Sequence, residues 1–276
     1  MIEILKSILF GIVEGITEWL PVSSTGHIIL LDEFVKLNFS SAEFGPMFDV
    51  VIQLGAILAV IVLFFHKLNP FAPGKSGDEK KQTWSLWFKV VVAIIPSGVL
   101  GVLFDDWMEA KLHHGIPVAI ALIVYGIAFI LVERRNSGRT GVLTDVHAID
   151  YTTALLIGAF QCLSLIPGTS RSGSTILGAI LLGVGRSAGA EFSFFMAIPT
   201  MLGASAIKAL KFLLSGASAS GQDIAVLIVG MVVSFVVSLL VIKGLMEYVR
   251  KHSFSAFGVY RIILGIVVLA YFLIFA

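Results

Sequence analysis

Two stretches of this chain combine side chains that could do chemistry within otherwise apolar sequence. In the first, Glu14 and Glu18 are four residues apart, which places both carboxyls on one face of a helix. Two adjacent carboxylates can bind a divalent cation such as Mg²⁺ or Ca²⁺, or their repulsion can make one of them an acid or a base. Glu14 and Glu18 are therefore predicted catalytic residues and predicted metal ligands.

A turn rich in hydroxyls follows Pro21. Its polar side chains are Ser23, Ser24, Thr25 and His27. One hydroxyl is expected to cap the helix that begins near Ile28. Ser24 and His27 are three residues apart, so a hydroxyl nucleophile and an imidazole proton carrier can approach each other. We predict that both are catalytic, with either as the nucleophile, and that Ser23 and Thr25 bind substrate.

The second stretch, residues 167–175, adds an arginine to the same kind of turn. Glycines allow close backbone approach, and the amides at the start of the following helix point at the loop, so the stretch predicts a phosphate cradle around Arg171. Arg171 could also pair with Glu14 or Glu18 when substrate is absent. The other predicted substrate-binding residues are Gly168, Thr169, Ser170, Ser172, Thr175 and, upstream, Gln161.

Carboxylates, a nucleophile, an imidazole and an anion cradle together suit phosphoryl transfer. The apolar surroundings of both stretches imply a substrate with a membrane-embedded tail. A transporter or flippase of polyprenyl phosphate lipids is the alternative, because buried carboxylates can also relay protons. The pairing of Ser24 with His27 favours the enzyme, since a carrier needs no nucleophile.

The composition predicts a polytopic membrane protein. The 276 residues are 57% hydrophobic and 13% charged, against about 25% charged in a soluble domain, and the mean hydropathy is +0.98. The net charge of +1 gives no reason to expect nucleic acid as a partner. Cys162 is the only cysteine, which excludes an intramolecular disulfide. We expect the first segment to be retained, because it lacks the pattern of a cleaved signal peptide.

The predicted fold is all-α, with six membrane spans and two re-entrant helix–loop–helix hairpins. The predicted spans are about 47–66, 86–104, 116–133, 190–213, 224–245 and 256–275. The apolar regions 2–31 and 151–184 are each interrupted by proline, glycine and hydroxyl residues, which a membrane tolerates only where protein or a wet cavity surrounds them.

Charged residues predict the orientation of the connections. The basic connections, assigned to the cytoplasm by the positive-inside rule, are 67–85, 134–150 and 244–255. The outward connections are 32–46, 105–115, with Asp105, Asp106 and Glu109, and 214–223. This alternation requires that neither hairpin makes a net crossing, and it puts both termini outside.

The two halves are predicted to be inverted repeats, residues 1–140 and 147–276, each with one hairpin and three spans. Gly11, Glu14 and Thr17 are echoed by Gly158, Gln161 and Ser164, with a one-residue slip between the helix part and the loop part. Inverted repeats with broken helices place a site at their interface near the midplane, where the two tips would meet. A homodimer is possible, with Gly126, Gly230 and Gly265 available for close helix packing.

Both stretches resemble the signature regions of the bacterial undecaprenyl-pyrophosphate phosphatase family, also called the bacitracin-resistance protein family. The first family motif is matched by Glu14 and Glu18, followed by Pro21, Ser23, Ser24, Thr25, Gly26 and His27. The second is matched by Pro167, Gly168, Ser170, Arg171, Ser172 and Thr175. The resemblance covers the whole chain in length and segment order.

The resemblance implies hydrolysis of undecaprenyl diphosphate to the monophosphate and inorganic phosphate, which recycles the lipid carrier for cell-wall synthesis. It also implies a multi-pass protein of the bacterial inner membrane, an active site that faces the periplasm, and a requirement for a divalent cation, Mg²⁺ or Ca²⁺, either bound by the protein or brought by the diphosphate. The implied roles are activating carboxylate for Glu18, its partner or metal ligand for Glu14, nucleophile for Ser24, proton-transfer partner for His27 and diphosphate clamp for Arg171, supported by Ser170 and Thr175.

Overall fold

The computed structural model describes residues 1–112, 114–136 and 141–275, apart from the side chains at 105, 106, 109, 110 and 275. The described residues form helices and no strand; Leu143 and Val184 make an isolated bridge. The helices of the first half are α1 (Ile2–Thr17), α2 (Ser24–Phe34), α3 (Phe44–Val51), α4 (Gln53–Leu63), α5 (Phe65–Leu68), α6 (Gly77–Leu112) and α7 (Gly115–Arg135). Those of the second half are α8 (Tyr151–Gln161), α9 (Arg171–Leu181), α10 (Arg186–Leu214), α11 (Gly221–Lys251) and α12 (Ser255–Phe275).

The six predicted spans are confirmed. In the described part of the chain, six helical stretches are long and apolar enough to cross a membrane: Phe44–Leu63, Gly77–Phe104, Gly115–Arg135, Arg186–Leu214, Gly221–Lys251 and Ser255–Ile274. The first is α3 and α4 joined at Ile52, and the others lie in α6, α7, α10, α11 and α12.

Helices extend into three of the predicted connections. The connection 105–115 is helical to Leu112, 244–255 is helical to Lys251, and 67–85 is helical from Gly77. Hydropathy detects the edge of the bilayer, but polar residues do not end a helix. At the start of α6, Ser76 and Glu79 form a reciprocal cap. The Ser76 amide donates to the Glu79 carboxylate at 2.7 Å, and the Glu79 amide donates to Ser76 Oγ at 3.2 Å. Arg139 and the boundary at residue 140 lie outside the described residues.

Each hairpin enters and leaves on one side. At the open end of the first, the amide of Asn38, just beyond α2, donates to Glu3 in α1 at 2.9 Å. At the open end of the second, the amide of Gly185, just beyond α9, donates to the carbonyl of Leu143, upstream of α8, at 2.8 Å. The predicted re-entrant pairs therefore exist as α1–α2 and α8–α9.

The connections gather at two ends of the helix bundle. At one end, Ser40 bonds to Asp223, which joins the loop after α2 to the start of α11. At the other end, Lys67 forms an ion pair with Glu191 at 2.6 Å. Also at that end, Lys89 donates to the carbonyl of His147 at 2.9 Å. The first hairpin opens at the Ser40 end and the second at the Lys67 end.

Glycines let the hairpin helices pack closely on long spans. A Cβ at Gly11 would lie 2.6 Å from the carbonyl oxygen of Gly230 in α11, and one at Gly158 would lie 1.8 Å from that of Ala93 in α6. The glycines considered for a dimer are used within the chain instead: Gly126 and Gly265 pack α7 against α12, and Gly230 packs against Ser7 and Ile52.

Candidate active site

The two loops share one backbone conformation. Ser23 and Ser170, 147 positions apart, have φ of 72° and 74°, and they are the only described non-glycine residues with positive φ. Each caps the next helix by accepting from an amide, Gly26 at 3.3 Å and Gly173 at 3.1 Å. The helices therefore start at Ser24 and Arg171, earlier than expected. The predicted one-residue slip is wrong, because one constant offset relates both the helices and the loops.

Glu18 lies between the two loops and binds both. Its Oε2 accepts from Ser24 Oγ at 2.7 Å, and its Oε1 accepts from Arg171 Nη2 at 2.9 Å. Ser24 and Arg171 are equivalent residues, each the first of its helix after the cap. The Glu18 side chain is 5% exposed, so the carboxylate is desolvated and held in place from two sides.

Further contacts fix the Arg171 guanidinium. Its Nη1 donates to the carbonyl of Ser193 at 2.8 Å, and its Cζ lies 5.7 Å from the centre of the Trp19 ring. Thr175 Oγ1 bonds to the Arg171 carbonyl at 2.9 Å and to Ser193 Oγ at 2.6 Å. Thr175 thus supports the arginine indirectly, through the carbonyl and through Ser193.

A cavity of about 160 Å³ opens beside Glu18. Its lining residues are Glu18, Ser24, Thr25, Gln53, Ser164, Gly168, Ser170, Arg171, Thr200, Met201 and Ala204. Six of the predicted site residues are therefore brought to one cavity, and both α2 and α9 begin at it. Helix N-termini and an arginine around one space form an environment suited to a phosphate group.

Three predicted substrate-binding residues serve the loops themselves. Ser172 Oγ donates to the carbonyl of Glu18 at 3.1 Å, which ties the second loop to the first. Ser23 caps α2, and Thr169 is fully buried. None of the three is among the residues that line the cavity.

His27 lies apart from this cavity. Its Nδ1 bonds to the carbonyl of Ser23 at 2.7 Å, and its Nε2 bonds to the Tyr260 hydroxyl at 2.7 Å, with the two rings stacked 5.6 Å apart. A carbonyl can only accept, so Nδ1 carries the proton and Nε2 accepts from Tyr260. The hydroxyl of Ser24 is directed to Glu18 instead of His27.

Glu14 and Gln161 occupy equivalent positions and differ in chemistry. Glu14 is 1% exposed, and its Oε1 is buried without a hydrogen-bond partner; its carboxyl also interacts with that of Glu18. Gln161 Nε2 donates to Ser97 Oγ at 2.6 Å, and its Oε1 is likewise without a partner.

The donor set near Glu14 fits a cation only in part. The described residues contain no group of three or more His, Cys, Asp or Glu side chains suited to a metal ion. The open Oε1 of Glu14 and the neighbouring Glu18 supply two carboxylates, whereas Mg²⁺ and Ca²⁺ take six or more oxygen ligands. The remaining ligands would have to be phosphate oxygens and water.

The model of the family described as bacitracin resistance protein BacA matches residues 7–267. The chain belongs to this family. Proteins named undecaprenyl-diphosphatase are similar to it along their whole length: 55% identical in Enterococcus faecalis strain V583, covering 97% of each chain, and 55% identical in Limosilactobacillus fermentum, covering 100% of each. A third, from Streptococcus suis, is 56% identical over 98% of this chain and 97% of the relative.

Outside the two loops that carry the BacA-family motifs, α12 contributes residues that the sequence analysis missed. Arg261 is fully buried and bonds to carbonyls of both loops, and its neighbour Tyr260 bonds to His27. A signal was present, because a charged residue within the apolar run 256–275 is expected to have a functional role. Gln53, Ser164 and Thr200 gave no comparable signal, since single polar residues are common in apolar helices.

Proposed function

We propose that this member of the BacA family hydrolyses undecaprenyl diphosphate to undecaprenyl phosphate and inorganic phosphate. The full-length similarity to proteins named undecaprenyl-diphosphatase supports the reaction. The observation that carries the assignment to this site is the Glu18 carboxylate, held between Ser24 and Arg171 at the wall of the cavity. In a multi-pass bacterial membrane protein, this activity returns the lipid carrier to cell-wall synthesis.

In the first step, Ser24 is the nucleophile and Glu18 the base. Ser24 Oγ attacks the terminal phosphorus, its proton passes to Glu18 Oε2, and the bond from that phosphorus to the bridging oxygen breaks. Undecaprenyl phosphate leaves with the bridging oxygen. The 2.7 Å hydrogen bond from Ser24 to Glu18 supports this assignment over His27, whose ring nitrogens are both bonded elsewhere.

In the second step, water attacks the phosphoserine, the bond from phosphorus to Ser24 Oγ breaks, and the proton held by Glu18 returns to Ser24. Inorganic phosphate is then released. His27 stays a predicted proton-transfer partner, and it is joined to the reacting loop through the Ser23 carbonyl.

Arg171 is the diphosphate clamp. Without substrate it pairs with Glu18, and a diphosphate entering the cavity would compete for the guanidinium and free the carboxylate to act as a base. The amides at the starts of α2 and α9 add partial positive charge where charge develops on the phosphate oxygens. Thr25, Gly168 and Ser170 are the further predicted contacts in this cavity.

Glu14 and Glu18 would hold a divalent cation together with the diphosphate. When bound, Mg²⁺ or Ca²⁺ would neutralise charge on the phosphates and stabilise the departing phosphate. Glu14 supplies an open oxygen for this purpose, because its Oε1 has no hydrogen-bond partner.

The basic connections also indicate how the protein is oriented in the membrane. We propose that the Lys67 end of the helix bundle is cytoplasmic, that both termini lie outside, and that substrate enters from the outer leaflet. The first hairpin, which carries Glu18 and Ser24, then opens outward, which is the side expected for diphosphate release after cell-wall polymer transfer.

The test is phosphate release from purified protein supplied with undecaprenyl diphosphate and Mg²⁺ in detergent. We expect multiple turnovers that stop on addition of a chelator and in Glu18→Gln. A monodisperse sample that releases no phosphate under these conditions would overturn the enzyme assignment. Transfer of the intact lipid from one leaflet of a liposome membrane to the other, without hydrolysis, would then favour the transporter alternative.

A further inference from the structure

Arg261 is a charged residue at a position where a buried charge is energetically unfavourable. It is the seventh of the 21 residues of α12, within a membrane span, and its side chain is fully buried. A charged side chain inside a membrane span is costly to insert, so its retention calls for compensating contacts.

Its contacts are the carbonyl oxygens of the two loops. Nη1 donates to Pro21 at 3.2 Å, and Nη2 donates to Gly168 at 2.8 Å. Pro21 and Gly168 are equivalent positions, each two residues before its helix cap, Ser23 or Ser170. One guanidinium therefore bridges the same backbone atom in both copies of the repeated loop.

The other contacts of Arg261 are few, and its Nε is buried without a hydrogen-bond partner in the described part of the chain. Its hydrogen bonds among the described residues go to carbonyls, and its Cζ lies 5.9 Å from the centre of the Tyr125 ring. A Cβ at Gly173 would come within 3.3 Å of Nη1, so the first turn of α9 packs directly on the guanidinium. The planar, two-pronged donor suits this bridge, and a lysine cannot reproduce its geometry.

We propose that Arg261 is a positioning residue that sets the spacing of the two loops and thereby holds Glu18 against Arg171. The inference rests on the proposed phosphatase reaction. The bridge bonds the first loop three residues after Glu18 and the second loop three residues before Arg171, the two residues that form the ion pair. Displacements of about 1 Å at a reacting centre can cost on the order of 10²-fold in rate.

The first test compares Arg261→Lys and Arg261→Gln with Arg186→Lys as a matched control. Arg186 also bonds to a buried partner, Glu133, but at the other end of the bundle. We expect kcat to fall by about 10²-fold in both Arg261 variants while KM changes by less than about threefold, because tail binding is unaffected. Arg186→Lys should keep the wild-type kcat.

The second test is a double-mutant cycle with Arg171→Ala, measured in single turnovers. If Arg261 acts by positioning Arg171, its substitution should cost little once Arg171 is absent. Guanidinium added to Arg261→Ala should restore activity, whereas ammonium should not. Additive losses, or wild-type kcat in a folded Arg261 variant, would overturn the proposal. Absence of hydrolysis by the wild type would instead refute the proposed function.

Discussion

The two carboxylate oxygens of Glu18 have different hydrogen-bond partners, and the proposed chemistry depends on this difference. Glu18 Oε2 accepts a hydrogen bond from Ser24, Oε1 accepts one from Arg171, and the whole side chain is buried. A buried ion pair is costly to break by removing one partner, because the other charge is left without compensation. In the proposed reaction, the entering diphosphate replaces Glu18 as the partner of Arg171, so the ion pair does not block the site.

Removal of either charge should therefore stop turnover. We expect Arg171→Ala and Glu18→Gln each to lower kcat/KM by at least ~10²-fold, the scale for loss of one preorganised charge-stabilising group. Size-exclusion chromatography should show that both variants remain folded. Near-normal activity in Arg171→Ala would contradict the clamp role.

Ser24→Ala separates the nucleophile models. We expect turnover to fall at least ~10³-fold, because Glu18 then has no hydroxyl to activate. Rapid-quench experiments with labelled diphosphate should trap phosphoserine in the wild type and not in Ser24→Ala. Thr25→Ala is the neighbouring control and should retain the phosphoserine. Substantial residual turnover in Ser24→Ala would point to His27 or a cation-bound water.

Glu14→Gln tests the cation site. The substitution keeps the shape of the side chain and removes a charged oxygen, so we expect the Mg²⁺ concentration for half-maximal activity to rise by about tenfold. Gln161→Glu restores a carboxylate at the equivalent position of the other hairpin and should not compensate, because Gln161 faces Ser97. An unchanged Mg²⁺ dependence in Glu14→Gln would exclude it as a ligand.

At the scale of elements, each hairpin is placed by a glycine against a long span. Gly158 packs on α6 and Gly11 packs on α11, each against the backbone of the long helix. We expect Gly158→Ala to lower the thermal unfolding midpoint in detergent, by overpacking worth roughly 1–3 kcal/mol. Gly98→Ala is the control, since nothing lies within 4 Å of its added Cβ. Equal midpoints for the two variants would contradict the packing role.

The sequence predicted most of this arrangement and missed a specific part of it. Hydropathy located the spans, and the break residues located the hairpins, because both signals are local along the chain. The echo of Gly11 by Gly158 also found the packing glycines. No local pattern encodes contacts between distant segments. Three features depend on such contacts: the helix ends beyond the bilayer, the pairing of Ser24 with Glu18 instead of His27, and the bridge from Arg261.

At the scale of the whole molecule, the two ends of the bundle differ in charge. The basic connections meet near Lys67, where they are linked by the contacts of Lys89 with His147 and of Arg186 with Glu133. The opposite end carries the acid-leaning loops and the open end of the first hairpin. The positive-inside rule then predicts the side of the membrane from which substrate reaches Glu18 in the proposed topology.

Cysteine labelling at the two ends of α6 and α7 tests that direction. In a Cys162→Ala background, Lys111→Cys lies at the exposed end of α6 and Arg134→Cys at the exposed basic end of α7. In intact cells, an impermeant thiol reagent should label position 111 and spare position 134, and both should label after permeabilisation. Because α7 crosses the membrane between them, the two sites cannot share a side. The reverse pattern would place the open end of the first hairpin in the cytoplasm, and the proposed outward-facing phosphatase would have to be inverted.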